Sequence, residues 1–290
     1  MFRASQSTGL LGRAAVIGAA LVLHAASADA VIVSGGNGMP APANGYVGWW
    51  NGSSGVCVSP YWVMSAKHVG GAPGDSFLIK GKWYQCVEIV TNPVYDVQLI
   101  RVSSPLPGWH RLGTDAAAGD PVVLGGYGVT TTGPVTGNAG WNWSGQQEET
   151  WGANLLAGTG NLLQIIFNAP SNPQSVAYEA TFSVHDSGAG LFTFGSDGAL
   201  DLVGIAVSVT GWGESDYGSS AFCVNIDLVR NWAMPIIDPD QPVTSGVVAP
   251  RSFVSLPGLP EWVGGTVVVG ALSTLRRRRH TAGTGEPGRR

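Results

Sequence analysis

The chain has 290 residues and a net charge of −4, but residues 31–240 carry six Lys or Arg against sixteen Asp or Glu, a net of −10 that the terminal arginines largely offset. Such an acidic body repels phosphates, which excludes nucleic acid as a partner. Five histidines, no acidic repeat and no C-x-x-C spacing also argue against a metal enzyme, and no cofactor is expected.

In chain order, Arg3 and Arg13, an apolar run over residues 14–26 and the small-residue site Ala28-Asp29-Ala30 read as a secretory signal peptide over residues 1–30. Cleavage there leaves Val31 at the new N-terminus. The body then shows short β-branched or aromatic runs at residues 55–59, 62–65, 76–80, 83–90, 97–102 and 121–124, and again at 164–168, 178–181, 191–194, 200–208 and 220–226. Gly, Pro, Asn and Asp separate them, the pattern of an all-β sandwich or a pair of barrels. Residues 125–160, rich in glycine and holding Trp141, Trp143 and Trp151, read as surface loops over the second barrel whose tryptophans cap the barrel ends, with lining of a substrate groove as the alternative. One helix is predicted near residues 227–234, capped by Asn225 or Asp227 and stopped by Pro235.

Three cysteines in an exported chain allow one internal disulfide. Cys57 and Cys86, both in strand-like runs of the N-terminal half, are the expected pair, with Cys223 a small buried hydrophobe. Beyond residue 238 the composition turns to Pro, Thr, Ser and Gly, a linker over residues 239–256. Residues 257–290 follow, with Leu259-Pro260-Glu261-Trp262, an apolar stretch and Arg276-Arg277-Arg278-Arg279. This layout resembles the C-terminal sorting signals of bacterial surface proteins named for a Pro-Glu-Pro motif, although the second proline is missing. It implies membrane or cell-surface attachment, with a short tail anchor or a basic tail as the alternative.

Setting aside His24 in the leader and His280 in the tail, three histidines remain as candidates for a general base: His68, His110 and His185. His68 follows Trp62-Val63-Met64-Ser65-Ala66-Lys67 at the end of an apolar strand, a rigid place from which a ring can project. Asp96 stands at the start of the apolar run 97–102, near a buried face, where a carboxylate needs donors such as an imidazole. Ser187 lies in His185-Asp186-Ser187-Gly188-Ala189-Gly190, among small residues that allow a tight turn and close substrate approach. A serine hydroxyl barely ionises at neutral pH and attacks a carbonyl only when an imidazole takes its proton and a carboxylate fixes the imidazole tautomer. The order His, Asp, Ser along the chain differs from that of the α/β-hydrolases, and no G-x-S-x-G elbow is present, which argues against an esterase of that fold.

Residues 62–68 are similar to W-V-L-T-A-A-H and residues 95–100 to Y-D-I-A-L-L, and with the Asp186-Ser187-Gly188 turn the chain resembles the trypsin-like serine proteases. Residues 118–128, 202–205 and 222–232 resemble the segment opening the second barrel, the strand after the nucleophile and the closing strand and helix of that family. The resemblance spans roughly residues 31–236. It implies two packed, antiparallel six-stranded β-barrels of the chymotrypsin-like type, at residues 31–117 and 118–238, with a short C-terminal helix. It implies a serine endopeptidase acting on protein or peptide substrates, with His68, Asp96 and Ser187 catalytic and an oxyanion hole made by the backbone amides of His185 and Ser187. Thr181 and Ser208 fall in the specificity pocket, where Thr181 replaces the aspartate that would favour Lys or Arg, so apolar or small side chains are expected. Asp186 is expected to pair with the amine of a new N-terminus at Val31 or Ile32. His185 stands where the family usually has glycine, and Val69 where it usually has cysteine. The altered motif keeps open an alternative, a catalytically weak or inactive surface binding module on the same fold. Sequence gives no oligomeric state.

Overall fold

The computed structural model of the protein describes residues 31–238. The leader, the linker and the tail read from sequence lie outside the described residues.

After β1 (Ile32–Val33) come β2 (Val47–Trp50), β3 (Ser53–Ser59), β4 (Trp62–Ser65), β5 (Ser76–Ile79), β6 (Lys82–Thr91) and β7 (Gln98–Val102). The last six close into an antiparallel barrel in the order β2-β3-β4-β7-β6-β5. Its tight hairpins follow from local chemistry. Asn51-Gly52 joins β2 to β3 and Lys80-Gly81 joins β5 to β6, all four residues at positive φ, as the two-residue turn that matches strand twist demands.

Beyond β8 (Arg111–Leu112), the second half contains β9 (Pro121–Gly126), β10 (Gly140–Asn142), β11 (Thr150–Gly158), β12 (Leu162–Ile166), β13 (Ala180–Thr181), β14 (Gly190–Phe194), β15 (Leu200–Val209), β16 (Glu214–Asp216) and β17 (Ser220–Asn225). Strands β9-β11-β12-β17-β15-β14 form a second six-stranded ring, closed because β14 pairs with both β9 and β15. Two closed antiparallel barrels followed by one helix, α1 (Ile226–Ile237), make a chymotrypsin-like fold.

Three sequence expectations are corrected. Residues 125–160 are not all surface loop: β11 is a barrel strand, and Trp151 within it is buried. Its first five residues are buried on both faces, so the period-two alternation that betrays a half-exposed strand is absent. Helix α1 runs past Pro235 to Ile237, since loss of one N–H in the last turn is tolerable when Asp238 closes it with an N–H bond to the Met234 carbonyl. Its N-cap is Asn225, whose side chain accepts from the Asp227 N–H. The Cys57–Cys86 disulfide is absent and all three cysteines are free, buried thiols. The physical reason is topological: β3 and β6 stand on opposite sides of the six-stranded ring, and burial pushes each thiol's pKa up.

One apolar cluster joins the halves. Val56, Met64 and Leu99 of the first barrel pack in it with Val123, Trp151, Phe192 and Ile205 of the second and with Val229 of α1. His110 crosses the same seam. Its Nε2 accepts from the Tyr46 N–H at 3.0 Å, its Nδ1 donates to the Leu200 carbonyl at 3.0 Å, and its ring lies 4.5 Å from that of Phe192. The two hydrogen bonds fix a neutral tautomer, and burial pushes the imidazole pKa down to about 4.

A neutral buried histidine binds its proton later than the unfolded chain does. Between about pH 6.5 and 4 the unfolded state therefore holds the extra proton, and acidification removes on the order of 3 kcal/mol of stability through this residue. The buried carboxyls of Glu179 and Asp186, both pushed up to about 7 by burial, act with the opposite sign: the folded state takes their protons first, so they add stability as pH falls from 7. The His110 contribution is isolated by difference. Urea unfolding at pH 7 and pH 4 of the natural protein and of His110→Gln should show the natural protein losing about 3 kcal/mol more than the variant on acidification.

Candidate active site

The first barrel supplies a ring and a carboxylate from two adjacent strand ends. Strand β4 stops at Ser65 and the chain tightens into a 3-10 turn over Lys67–Val69, ended by Gly70 at φ +70. The Gly70 carbonyl accepts from Trp50 Nε1 at 3.0 Å and Gln98 Nε2 at 2.8 Å, which ties the turn to β2 and β7. Asp96 sits two residues before β7, in a turn shaped by Asn92, whose Oδ1 accepts the N–H groups of Val94 and Tyr95 at 2.9 Å.

These two turns face each other. Asp96 Oδ1 accepts the His68 backbone N–H at 2.9 Å and Oδ2 lies 2.6 Å from His68 Nδ1. On the other side of the ring, Nε2 is 2.7 Å from Ser187 Oγ. Asp96, expected near a buried face, has a side chain 36% exposed, and His68 is 46% exposed. The relay thus opens on solvent, and its geometry rests on paired hydrogen bonds to Asp96 rather than on desolvation.

The second barrel supplies the hydroxyl. The chain from Phe182 to Ala189 folds back on itself: Asp186 N–H bonds to the Ser183 carbonyl and Ala189 N–H to the Asp186 carbonyl. It is pinned across the seam by Ser54 N–H to the Ser187 carbonyl at 3.0 Å, and to its own barrel by Gly188 N–H to the Ala206 carbonyl at 2.8 Å. Gly188 has φ +87, and a Cβ there would lie 2.1 Å from the Ser54 carbonyl oxygen and 2.3 Å from Ser65 Oγ, so only glycine fits. Ser65 Oγ–H in turn donates to the Ser54 carbonyl, and Ser54 Oγ accepts the Tyr127 N–H.

His185 adopts φ +70 despite its side chain. That conformation costs a non-glycine residue roughly 1–2 kcal/mol, and the surrounding bonds hold it. Among the described residues, neither the His185 N–H nor the Ser187 N–H has a protein acceptor. Two unpaired donors beside a nucleophile are what an oxyanion requires. Asp186, between them, is buried; Gly128 N–H bonds its Oδ1 and Ser183 N–H its Oδ2, each at 2.8 Å.

Next to Ser187 opens a cavity of about 450 Å3 whose walls include Phe182, Val184, Val207, Ser208, Val209 and Trp212. Ser208 is in the lining as expected, whereas Thr181 is not: it is buried in β13, paired with Ile32 of β1. Trp143 packs at the same cavity with its Nε1–H on Ser215 Oγ, and Trp212, 98% exposed, stands at the mouth. Among the described residues no group of three His, Cys, Asp or Glu could hold a metal.

Sequence reasoning missed the supports: Ser54, Ser65, Asn92, Gln98 and Ser183. Asn92-Pro93 was legible as a turn signal; the others are single polar residues in apolar runs and carry no local signature. No protein-family model matches the sequence, and no curated protein matches it either.

The tolerance at Gly188 is a direct check on this loop. Gly188→Ala should lower stability by about 2–3 kcal/mol in urea unfolding, because the new methyl group meets backbone of the other barrel as well as strained φ.

Proposed function

We propose that the protein is an exported serine endopeptidase. The observation that carries this reading is a single imidazole bonded at 2.6 Å to a carboxylate and at 2.7 Å to a serine hydroxyl, each from a different segment of a chymotrypsin-like fold.

The chemistry follows from the bonds. With Nδ1–H committed to Asp96, the Nε2 lone pair faces Ser187 and takes its proton as Oγ attacks the scissile carbonyl. The carbonyl oxygen gains charge and is met by the N–H groups of His185 and Ser187. The imidazolium, stabilised by Asp96, then gives its proton to the leaving amine. Water, deprotonated by the same ring, hydrolyses the acyl-enzyme. The two free amides weigh against the inactive binding module, since a module has no use for unpaired donors beside an activated hydroxyl.

The cavity beside Ser187 would receive the side chain preceding the cleaved bond. Its walls are mostly apolar, and both oxygens of its one carboxylate, Asp186, are already engaged. A Lys or Arg side chain would be desolvated there without a free counter-charge. Apolar side chains are therefore the preferred occupants. The leader over residues 1–30 makes the enzyme an exported one, and the tail over residues 257–290 would hold it at the membrane or cell surface.

Labelling with a fluorophosphonate, followed by peptide mapping, should place the adduct on Ser187. Ser187→Ala and His68→Ala should each lower peptide hydrolysis by about 10^4-fold or more while leaving the urea midpoint nearly unchanged. An adduct elsewhere, or full activity in either variant, would defeat the reading. In a panel of chromogenic peptides, those with leucyl, valyl or alanyl residues before the cleaved bond should exceed lysyl and arginyl ones by at least about tenfold in kcat/KM.

A further inference from the structure

We propose that Ser183 and Gly128 hold the Asp186 side chain so that the oxyanion hole stands without a free amine at residue 31 or 32, and that cleavage ahead of β1 therefore does not switch catalysis on. The proposal concerns regulation of the site described above and rests on the protease reading.

Four observations carry it. The first is hydrogen bonding: Oδ1 of Asp186 accepts the Gly128 N–H at 2.8 Å, and Oδ2 accepts the Ser183 N–H at 2.8 Å with Ser183 Oγ at 3.1 Å. Both oxygens are thus held by protein donors before any amine arrives. The second is shape. A Cβ at Gly126 or Gly128 would lie 2.1 or 2.4 Å from the Asp186 carboxyl group, so the cradle is built of bare backbone and closes on the side chain.

The third is proton placement. Ser183 Oγ has one hydrogen and lies 2.8 Å from the Val129 carbonyl, 3.2 Å from the Val184 carbonyl and 3.1 Å from Asp186 Oδ2. If the Val129 carbonyl takes the hydroxyl hydrogen, a protonated Asp186 can donate to Ser183 Oγ, and no ion need be buried. Burial pushes the Asp186 carboxyl up to about 7, in the direction this arrangement needs. The protonated form makes no ion pair and so does not call for an ammonium partner.

The fourth is the state of the segment that would supply the amine. Val31, Ile32 and Val33 are buried, Ile32 pairs with Thr181 and Val33 with Ala180, and Ser34 N–H bonds to the Glu179 carbonyl. Val31 and Val33 share an apolar cluster with Phe182 and Ala189, the residues that flank the nucleophile loop. Strand β1 thus braces that loop through side chains and strand pairing, contacts that need no free amine. His185 already has φ +70 and its N–H is already unpaired. Ser183 is accordingly a positioning residue, acting on the hole through Asp186.

The test uses the full chain with a specific-protease recognition sequence inserted directly before Val31, and a second form with it directly before Ile32. The second-order rate of fluorophosphonate labelling at Ser187 is measured before and after cutting. The rates should agree within about twofold, and a rise of about tenfold or more on cutting either form would overturn the inference while leaving the protease reading intact. Labelling absent both before and after cutting, at the level of Ser187→Ala, would overturn both. The latch has its own check. Ser183→Ala should label about tenfold more slowly, with Ser183→Thr restoring most of the rate, whereas an unchanged rate in Ser183→Ala would remove Ser183 from the proposal.

Discussion

The seam between the barrels is the constraint on which the molecule's chemistry depends. His68 and Asp96 belong to the first barrel and Ser187 to the second, so a hydrogen bond of 2.7 Å exists only if two independently closed sheets meet at fixed distance and angle. The shared apolar cluster supplies the force, and directional contacts supply the register: Ser54 N–H on the Ser187 carbonyl, Tyr127 N–H on Ser54 Oγ, and His110 spanning Tyr46 and Leu200. Interiors packed at crystal-like density transmit small displacements, so apolar contact alone positions the seam loosely and the polar bonds settle the last ångström.

Placement on turns rather than mid-strand explains how the site can be both firm and open. A strand interior fixes side chains but buries them, whereas a free loop exposes them without fixing them. His68 and Asp96 occupy turns whose backbones are tied down by Trp50, Gln98 and Asn92, and both side chains remain partly exposed to solvent. Ser187 is held in the same manner by Gly188 and Asp186. At His185, with φ +70, local preference loses, and the bonds on either side of it set its conformation.

Much of this was legible in advance where the chemistry is local. The strands over residues 53–65 and 76–102 are β-branched and aromatic runs cut by turn residues, and they sit where the sequence puts them to within a few residues. Strand β2 was missed although Asn51-Gly52, the strongest short hairpin signal, marks its end. Strand β11 escaped because burial on both faces erases alternation. The expected disulfide failed for a related reason: sequence shows that Cys57 and Cys86 are in strands, but which strands neighbour each other around a ring is a property of closure. The family resemblance put Thr181 in the pocket, and pairing with β1 places it instead in a two-stranded sheet outside both barrels.

What the sequence determined by itself is the list of parts and their order: strands punctuated by glycine, a capped terminal helix, and one each of imidazole, carboxylate and hydroxyl in segments too distinctive to ignore. Only the tertiary structure decided that these three groups touch, that among the described residues two amides beside the serine have no protein acceptor, and that the Asp186 carboxyl accepts from Ser183 and Gly128. The physical reason is range. Strand, turn and cap preferences act over a few residues, whereas the His68–Ser187 bond links positions 119 apart in sequence and forms only after both barrels have closed.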